Sequence, residues 1–170
     1  MVKLNELFNI EYGNQADLNK FERASSADGI RFISRSSENL GFQCYVKKDG
    51  KLKVYNKGLI TVTLGGTYVL SSFVQPDSFY TGQNIKVLTP KVEMSEAQKY
   101  FYCYAIASNR FRYISHGREA NKTIDNILVP NIVEIPDWIY EELNIKEPSK
   151  KPLHEKQISF NDREWKYFDL

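Results

Sequence analysis

The 170-residue sequence lacks the features that define several broad classes of protein. Its two cysteines, Cys44 and Cys103, are too few for a disulfide framework and indicate a reducing compartment. No apolar run reaches the roughly 18 residues that a membrane span needs. The first residues mix charged and apolar side chains, unlike a signal peptide. We therefore expect a cytoplasmic domain without a membrane contact.

Catalytic signatures are equally scarce. The chain has two histidines and two cysteines without close spacing, which does not fit a zinc site. Gly65 and Gly66 form an isolated pair, more typical of a turn than of a phosphate-binding loop. Cys103 and His116 could form a catalytic pair of a thiol nucleophile and its base. Cys103 lies in the middle of a predicted helix, however, where a cysteine is typically a small buried side chain. The sequence therefore predicts a domain that is not an enzyme.

Aromatic residues are abundant at 14%, which favours a strand-rich fold. Runs of alternating or β-branched residues begin near residues 30, 42, 59, 68 and 85, and a further strand pattern covers residues 4–12. Together they predict at least six strands before residue 90. Between residues 42–46 and 52–55, the segment Lys48-Asp49-Gly50-Lys51 predicts a β-hairpin, because Asp-Gly is a strong hairpin turn.

The pattern changes after Pro90. Ser95 and Gln98 form a capping box, which predicts a helix over residues 95–112. Apolar and small residues follow at helical spacing and predict a stripe that packs inward: Ala97, Phe101, Tyr104, Ala105, Ser108 and Phe111. The sequence therefore predicts an α+β fold, in which a twisted, mostly antiparallel, partly barrel-like sheet packs against one main helix.

Charge is segregated locally although the net charge is only +2. Residues 99–122 carry five basic residues and one acidic residue, and so do residues 47–57. For residues 47–57 we favour an ordinary solvated face. For residues 112–122, a solvated face and contact with nucleic acid are equally supported, since basic side chains neutralise phosphates while Arg and Asn can bond base edges.

Polar loops on a rigid β-rich frame are suited to recognition. The sequence predicts the following DNA-contacting residues from loop chemistry: Asn14, Arg35, Asn39, Thr81, Gln83, Arg112, His116, Arg118, Asn121 and Lys122. The main alternative is a protein- or carbohydrate-binding β-module that uses exposed aromatics. The helical spacing of Phe101, Tyr104 and Phe111 argues for a core role instead. A degenerate nuclease centre is a third, less supported, possibility.

Several motifs together resemble those of a known family. Residues 4–13 (LNELFNIEYG) are similar to the start "L-x-E-L-F-x-I-x-x-G", and residues 30–35 and 39–41 to "I-x-[FY]-I-[ST]-R … N-x-G". Residues 58–66 resemble a "G-x-I-T-V … G" hairpin, residues 84–88 the next strand, and residues 127–138 a closing "I-x-[LV]-P … P-D-W" element. In this order, the motifs resemble target recognition domains of the DNA-specificity subunits of type I and type IIB restriction–modification systems.

The resemblance implies that the chain recognises double-stranded DNA and directs a methyltransferase, often with a nuclease, to its target. It implies no cofactor in this chain, with S-adenosylmethionine and Mg²⁺ in partner subunits. The sequence agrees, since it has neither an Asp/Asn-Pro-Pro-Tyr/Phe motif nor a Phe-x-Gly-x-Gly motif.

The resemblance also suggests a domain organisation. Residues 1–143 would form the recognition domain and the Lys- and Pro-rich residues 144–164 a linker. Residues 165–170 (WKYFDL) resemble the start of a second, truncated unit. No long heptad helix follows the domain, which suits a type IIB or fused arrangement better than a type I subunit.

Overall fold

A computed structural model describes residues 1–114 and 119–142 and has the predicted α+β character. Its strands are β1 (Val2–Lys3), β2 (Phe8–Tyr12), β3 (Ile30–Ile33), β4 (Phe42–Val46), β5 (Ile60–Thr63), β6 (Ser72–Val74), β7 (Phe79–Thr81), β8 (Ile85–Pro90) and β9 (Leu128–Val129). Its helices are α1 (Leu4–Leu7), α2 (Glu96–Ala107), α3 (Phe111–Ile114) and α4 (Trp138–Glu142). The proposed linker and the proposed second unit lie outside the described residues.

The strands form three sheets. The largest has the order β2-β8-β5-β6 and is antiparallel throughout, and the second has the order β4-β3-β7. β1 and β9 form a two-stranded ribbon. The β3–β7 pair is parallel, whereas every other pair of these strands is antiparallel, which confirms the mostly antiparallel prediction. The strands of the described segments do not close into a barrel.

The four-stranded sheet is the middle layer of the molecule, because both of its faces are covered. On one face, Ile85 and Val87 of β8 pack with Ile33 and Phe79 of the three-stranded sheet. On the other face, the alternate residues of β5 and β8 pack against α2 and the segment after it. Burial on both faces fits β5, whose four β-branched residues are all buried, two apolar and two threonines.

Helix α2 begins as predicted but packs in a different phase. The Ser95 hydroxyl accepts from the Gln98 N–H, and the Gln98 side chain accepts from the Ser95 N–H. The buried residues are Ala97, Tyr102, Cys103 and Ile106. The predicted inward stripe is therefore wrong for Ser108, which is exposed, and for Tyr104 and Phe111, which are 75% and 67% exposed.

Contacts from outside the helix select this phase. The ring of Tyr102 meets Phe8 of β2 edge-on at a centroid distance of 5.3 Å, and its hydroxyl donates to the Pro130 carbonyl at 3.2 Å. Because α2 has aromatics on several sides, its periodicity alone does not specify which of them the sheet buries.

The predicted hairpin at residues 48–51 is wrong. A turn does form there, in which the Lys51 N–H donates to the Asp49 carboxylate at 2.8 Å, but the residues after it do not pair with β4. Residues 22–24 already occupy the outer edge of β4 through an antiparallel bridge between Arg23 and Val46. The buried Tyr80 hydroxyl also donates to the Asp49 carbonyl at 2.9 Å and holds the turn over the sheet.

The burial of Cys103 makes a testable prediction about thiol reactivity. Cys103 is 8% exposed, and burial raises its pKa to about 12, opposed by a hydrogen bond from the Val74 backbone. A raised pKa removes the reactive thiolate near neutral pH. We expect iodoacetamide to modify the partly exposed Cys44 in the folded protein, and Cys103 only after unfolding. Equal modification rates, measured by peptide mass spectrometry, would contradict this arrangement.

Candidate nucleic-acid interface

Several loops that are distant in sequence meet at one end of the two larger sheets. The Gly82 N–H donates to the carbonyl of Ile33 at the end of β3, at 2.7 Å. The Asn84 carbonyl accepts from the Leu64 N–H at 3.0 Å, and the Leu64 carbonyl accepts from the Ala120 N–H at 2.7 Å. These bonds bring together the surface that we call the loop end, defined by residues 13–18, 34–39, 82–84 and 119–123 and by Arg112, which lines a pocket with the last of these segments.

A reciprocal hydrogen-bond pair ties the first of these loops to the end of β7, directly before the third loop. The Asn14 N–H donates to the Thr81 hydroxyl at 2.7 Å, and the Thr81 N–H donates to the Asn14 side-chain carbonyl at 2.9 Å. The Asn14 amide also donates to the Lys53 carbonyl at 2.8 Å. Thr81 is fully buried. Its burial does not fit the predicted DNA contact. Asn14 is half-buried, and the bonds between the two residues hold the first loop against the end of β7.

Gly13 permits this close approach, which gives a second testable prediction. A Cβ atom at Gly13 would lie 2.0 Å from the Thr81 Oγ1 atom. We expect Gly13→Ala to lower the free energy of unfolding by about 1–3 kcal/mol, the usual cost of overpacking a close contact. Thermal or urea unfolding of the variant and the wild-type chain measures this difference in the free energy of unfolding. Gly50→Ala is the matched control, since a Cβ there meets nothing within 4 Å. Equal stability of both variants would show that the loops are not locked.

Two of the predicted contact residues line one pocket at the loop end. Arg35 follows β3 and Gln83 follows β7, and the parallel pairing of these strands places both side chains beside each other. Arg35 and Gln83 are exposed. The pocket also includes Gln43 and Asp17, which are not among the predicted contact residues. The exposed position of Gln43 in the alternation of β4 could have indicated it.

Asn39 lies in the loop between β3 and β4 and is also exposed. It has a positive φ of 46°, a conformation that asparagine tolerates better than most residues. The next residue, Leu40, has its carbonyl bonded by the Gln75 amide at 2.9 Å, which holds this loop over the edge strand β6. Asn39 is thus displayed from a fixed backbone.

A second pocket at the loop end contains Arg112, Asn121 and Lys122. Its volume is about 530 Å³, which is within the range of ligand-binding clefts. The Tyr113 and Thr123 hydroxyls are 2.8 Å apart and tie α3 to the segment that carries Asn121 and Lys122. The Asn121 amide donates to the Glu119 carboxylate at 2.5 Å. His116 and Arg118 lie outside the described residues.

The buried lysine Lys86, which is not among the predicted residues, connects the sheet with this second pocket. Lys86 is on β8, its side chain is 7% exposed, and its ammonium lies 2.9 Å from the carboxylate of Asp125. The ammonium is also 5.0 Å from the ring centroid of Tyr12. Asp125 follows Asn121 and Lys122 closely, so the ion pair fixes the pocket's segment on the sheet.

The other basic segment differs from the loop end. Lys47 pairs with Glu22 at 2.6 Å, and Lys53 pairs with Glu11 at 2.5 Å, both on the surface. Two of the five lysines in residues 47–57 are thus neutralised, which supports the interpretation as a solvated face.

In the described segments, no group of three or more His, Cys, Asp and Glu side chains could hold a metal ion. No helix within residues 1–114 or 119–142 is both long and apolar enough to cross a membrane.

Comparison with known proteins places this arrangement in context. Residues 1–137 match the model of the type I restriction modification DNA specificity domain. A curated relative, the specificity subunit S.BcgI of a type II restriction enzyme from Heyndrickxia coagulans, is 28% identical over 140 residues, which cover 81% of this chain and 40% of that protein.

Solved structures share the fold at low identity. The S subunit of a type I restriction-modification system from M. genitalium has a TM-score of 0.57 at 14% identity, over 75% of this chain and 32% of that chain. The HsdS subunit from Thermoanaerobacter tengcongensis has a TM-score of 0.53 at 17% identity, over 74% and 31%. A chain of another type I R-M system has a TM-score of 0.62 at 15% identity, over 82% and 36%. This chain spans less than half the length of each relative.

Proposed function

Because the chain belongs to the type I restriction modification DNA specificity domain family, we propose that it recognises a double-stranded DNA sequence through its loop end. The observation that carries this proposal is the assembly of two pockets on one end of a rigid frame. One contains Arg35 and Gln83, and the other contains Arg112, Asn121 and Lys122. As a specificity domain, the chain is the non-catalytic part of such a system, as predicted.

The side chains in these pockets suit base recognition in the major groove. Arginine can donate two hydrogen bonds to the O6 and N7 atoms of guanine, and asparagine or glutamine can bond adenine at N6 and N7. Lys122 suits a phosphate contact, which positions the protein without reading sequence. The proposed contact set is Arg35, Asn39, Gln83, Arg112, Asn121 and Lys122, together with His116 and Arg118 from the sequence analysis.

We further propose that the chain directs a methyltransferase, and in some systems a nuclease, to the recognised site. S-adenosylmethionine and Mg²⁺ would then be bound by the partner subunits or domains. Support comes from the family and from the sequence, which lacks both methyltransferase motifs.

The direct test is selection of a randomised duplex pool by the purified chain at low and moderate salt, followed by sequencing. We expect enrichment of a short fixed motif, with affinity that falls steeply as salt rises. The selection is repeated with the methyltransferase subunit added, because one recognition domain covers only part of a target. No enriched motif under any of these conditions would refute the proposal.

A second candidate function has one specific observation in its favour. Tyr100, Tyr104 and Phe111 are exposed and lie in one row along α2 and α3. Such a row suits contact with a partner protein, which is the protein-binding alternative from the sequence analysis. Binding through apolar rings would be insensitive to salt, whereas DNA binding would not, so salt titration separates the two functions.

A further inference from the structure

An acidic side chain, Asp17, lies among the basic and amide groups of the loop end. It lines the pocket that contains Arg35 and Gln83, which we call the Arg35 pocket. It also lines a neighbouring pocket together with Lys20 and Gln83. A carboxylate is repelled by the phosphates of DNA, so it weakens non-specific binding wherever it lies on such a surface. The contact set proposed above does not include Asp17.

The ends of adjacent strands place Asp17 and Arg35 on either side of Gln83. The N–H of Gly82 donates to the carbonyl at the end of β3, and from the other side Ala16 forms a parallel bridge with Gly82. Neighbouring strands are about 4.8 Å apart, so about 10 Å separates the backbones of Asp17 and Arg35. This separation fits the absence of an ion pair between them, and each side chain remains available to a ligand.

The Asp17 carboxylate has an acceptor to spare. Its Oδ1 atom accepts from the Asn19 N–H at 3.0 Å and caps the 3₁₀ turn Leu18–Lys20. Its Oδ2 atom has no hydrogen-bond partner, and Asp17 forms no ion pair, within residues 1–114 and 119–142. By contrast, the exposed Glu11 and Glu22 are each paired with a lysine. Asp17 is also exposed, so a base edge can reach it.

The segment that carries Asp17 is held in place before DNA binds. The Gln15 side-chain carbonyl accepts from the Asn84 N–H at 3.0 Å, and the Ala16 N–H donates to the Thr81 carbonyl at 3.2 Å. The bond from Oδ1 to the following turn fixes the carboxylate itself. A side chain that is already ordered loses little entropy when it binds.

We infer that Asp17 specifies a cytosine in the DNA target, because its carboxylate can accept a hydrogen bond from the cytosine N4 amino group in the major groove. This inference rests on the proposed function. A carboxylate can only accept, whereas guanine presents two acceptors there and thymine presents an acceptor and a methyl group. Adenine presents its N6 donor beside the N7 acceptor, which repels a carboxylate. Cytosine presents a donor alone and is therefore the base that fits.

The test compares the motifs that the full wild-type chain and two Asp17 variants select from a randomised duplex pool. Asn and Ser both keep an oxygen that can cap the turn. We expect the wild-type chain to prefer cytosine at one position by about 5- to 150-fold, the usual effect of one mismatched base pair. Asp17→Asn should lose this preference and gain adenine there, since an amide bonds adenine at N6 and N7. Asp17→Ser, with its shorter side chain, should lose the preference without gaining adenine.

Asp28→Asn is the matched control, because it removes the same charge at a distance from the loop end. Asp28 is exposed and precedes β3, whereas Arg35 follows that strand. Its carboxylate accepts from the Ser25 hydroxyl at 3.0 Å. The selected motif should stay unchanged in this variant. Thermal unfolding checks that all three variants are folded.

Two outcomes would overturn the inference while leaving the proposed function intact. If both Asp17 variants select the wild-type motif, the carboxylate does not contact a base. If they change the affinity for every duplex equally, Asp17 acts only through its charge. Failure of the wild-type chain to select any motif would instead refute the proposed function itself.

Discussion

Replacing Asp125 with alanine is expected to lower the free energy of unfolding by about 2 kcal/mol. The change leaves the ammonium of Lys86 buried without its carboxylate, and breaking fully buried pairs in this way costs about 3–5 kcal/mol. We expect the smaller value because Asp125 is itself 43% exposed, so water can replace part of the lost interaction. Urea unfolding measures the change. DNA binding should weaken as well, since Asp125 fixes the segment that carries Asn121 and Lys122.

The double variant Lys86→Met with Asp125→Ala is the control for this prediction. Methionine removes the buried charge but keeps the volume, so the double variant should recover most of the lost stability. It should not recover DNA binding, because the segment after Asn121 would still lack its tie to β8. A double variant as unstable as Asp125→Ala would show that the unpaired charge is not the cause.

The second large effect concerns the two exposed arginines of the loop end. We expect Arg35→Ala and Arg112→Ala each to weaken binding to the selected duplex by about 5- to 150-fold, the range that follows from losing one bidentate contact to a base. Binding to an unrelated duplex should change little. Competition binding with both duplexes measures the specificity ratio directly.

A lysine at the opposite end of the molecule provides the control for the two arginines. Lys91 follows β8 at the end away from residues 82–84, and its ammonium donates to the Asn5 carbonyl at 2.6 Å. Lys91→Ala should leave both duplexes bound as before. If the arginine variants weakened both duplexes equally, these side chains would contact phosphates and not bases.

Much of the secondary structure could be predicted because its causes are local. The strands at residues 30–33, 42–46 and 85–90 follow from β-branched or alternating sequence, and the start of α2 follows from the Ser95 capping box. The sequence did not predict which face of α2 is buried, because Phe101 and Tyr102 are both aromatic. Only contacts with the sheet decide which of them is fully buried. The predicted hairpin does not form because residues 22–24, which are far from the turn in sequence, occupy the edge of β4.

The candidate site was predictable in kind but not in arrangement. Loop composition indicated Arg35, Gln83, Arg112, Asn121 and Lys122, which the structure places in two pockets. It also indicated Thr81, which is buried. Loop composition gives no measure of burial, since a threonine that accepts a backbone hydrogen bond has the same sequence environment as one that faces solvent.

The sequence by itself determined the α+β class, the order of most strands, the helix start and the family, since each depends on spacing between near neighbours. Only the tertiary structure decided which polar groups are displayed and which hold the frame together. Asn14 and Thr81 are 67 positions apart, and Lys86 and Asp125 are 39 apart. Such pairs form when packed sheets bring distant segments within hydrogen-bond distance and exclude water. Without water, a polar side chain has to bond to another group of the protein, and it then stabilises the fold.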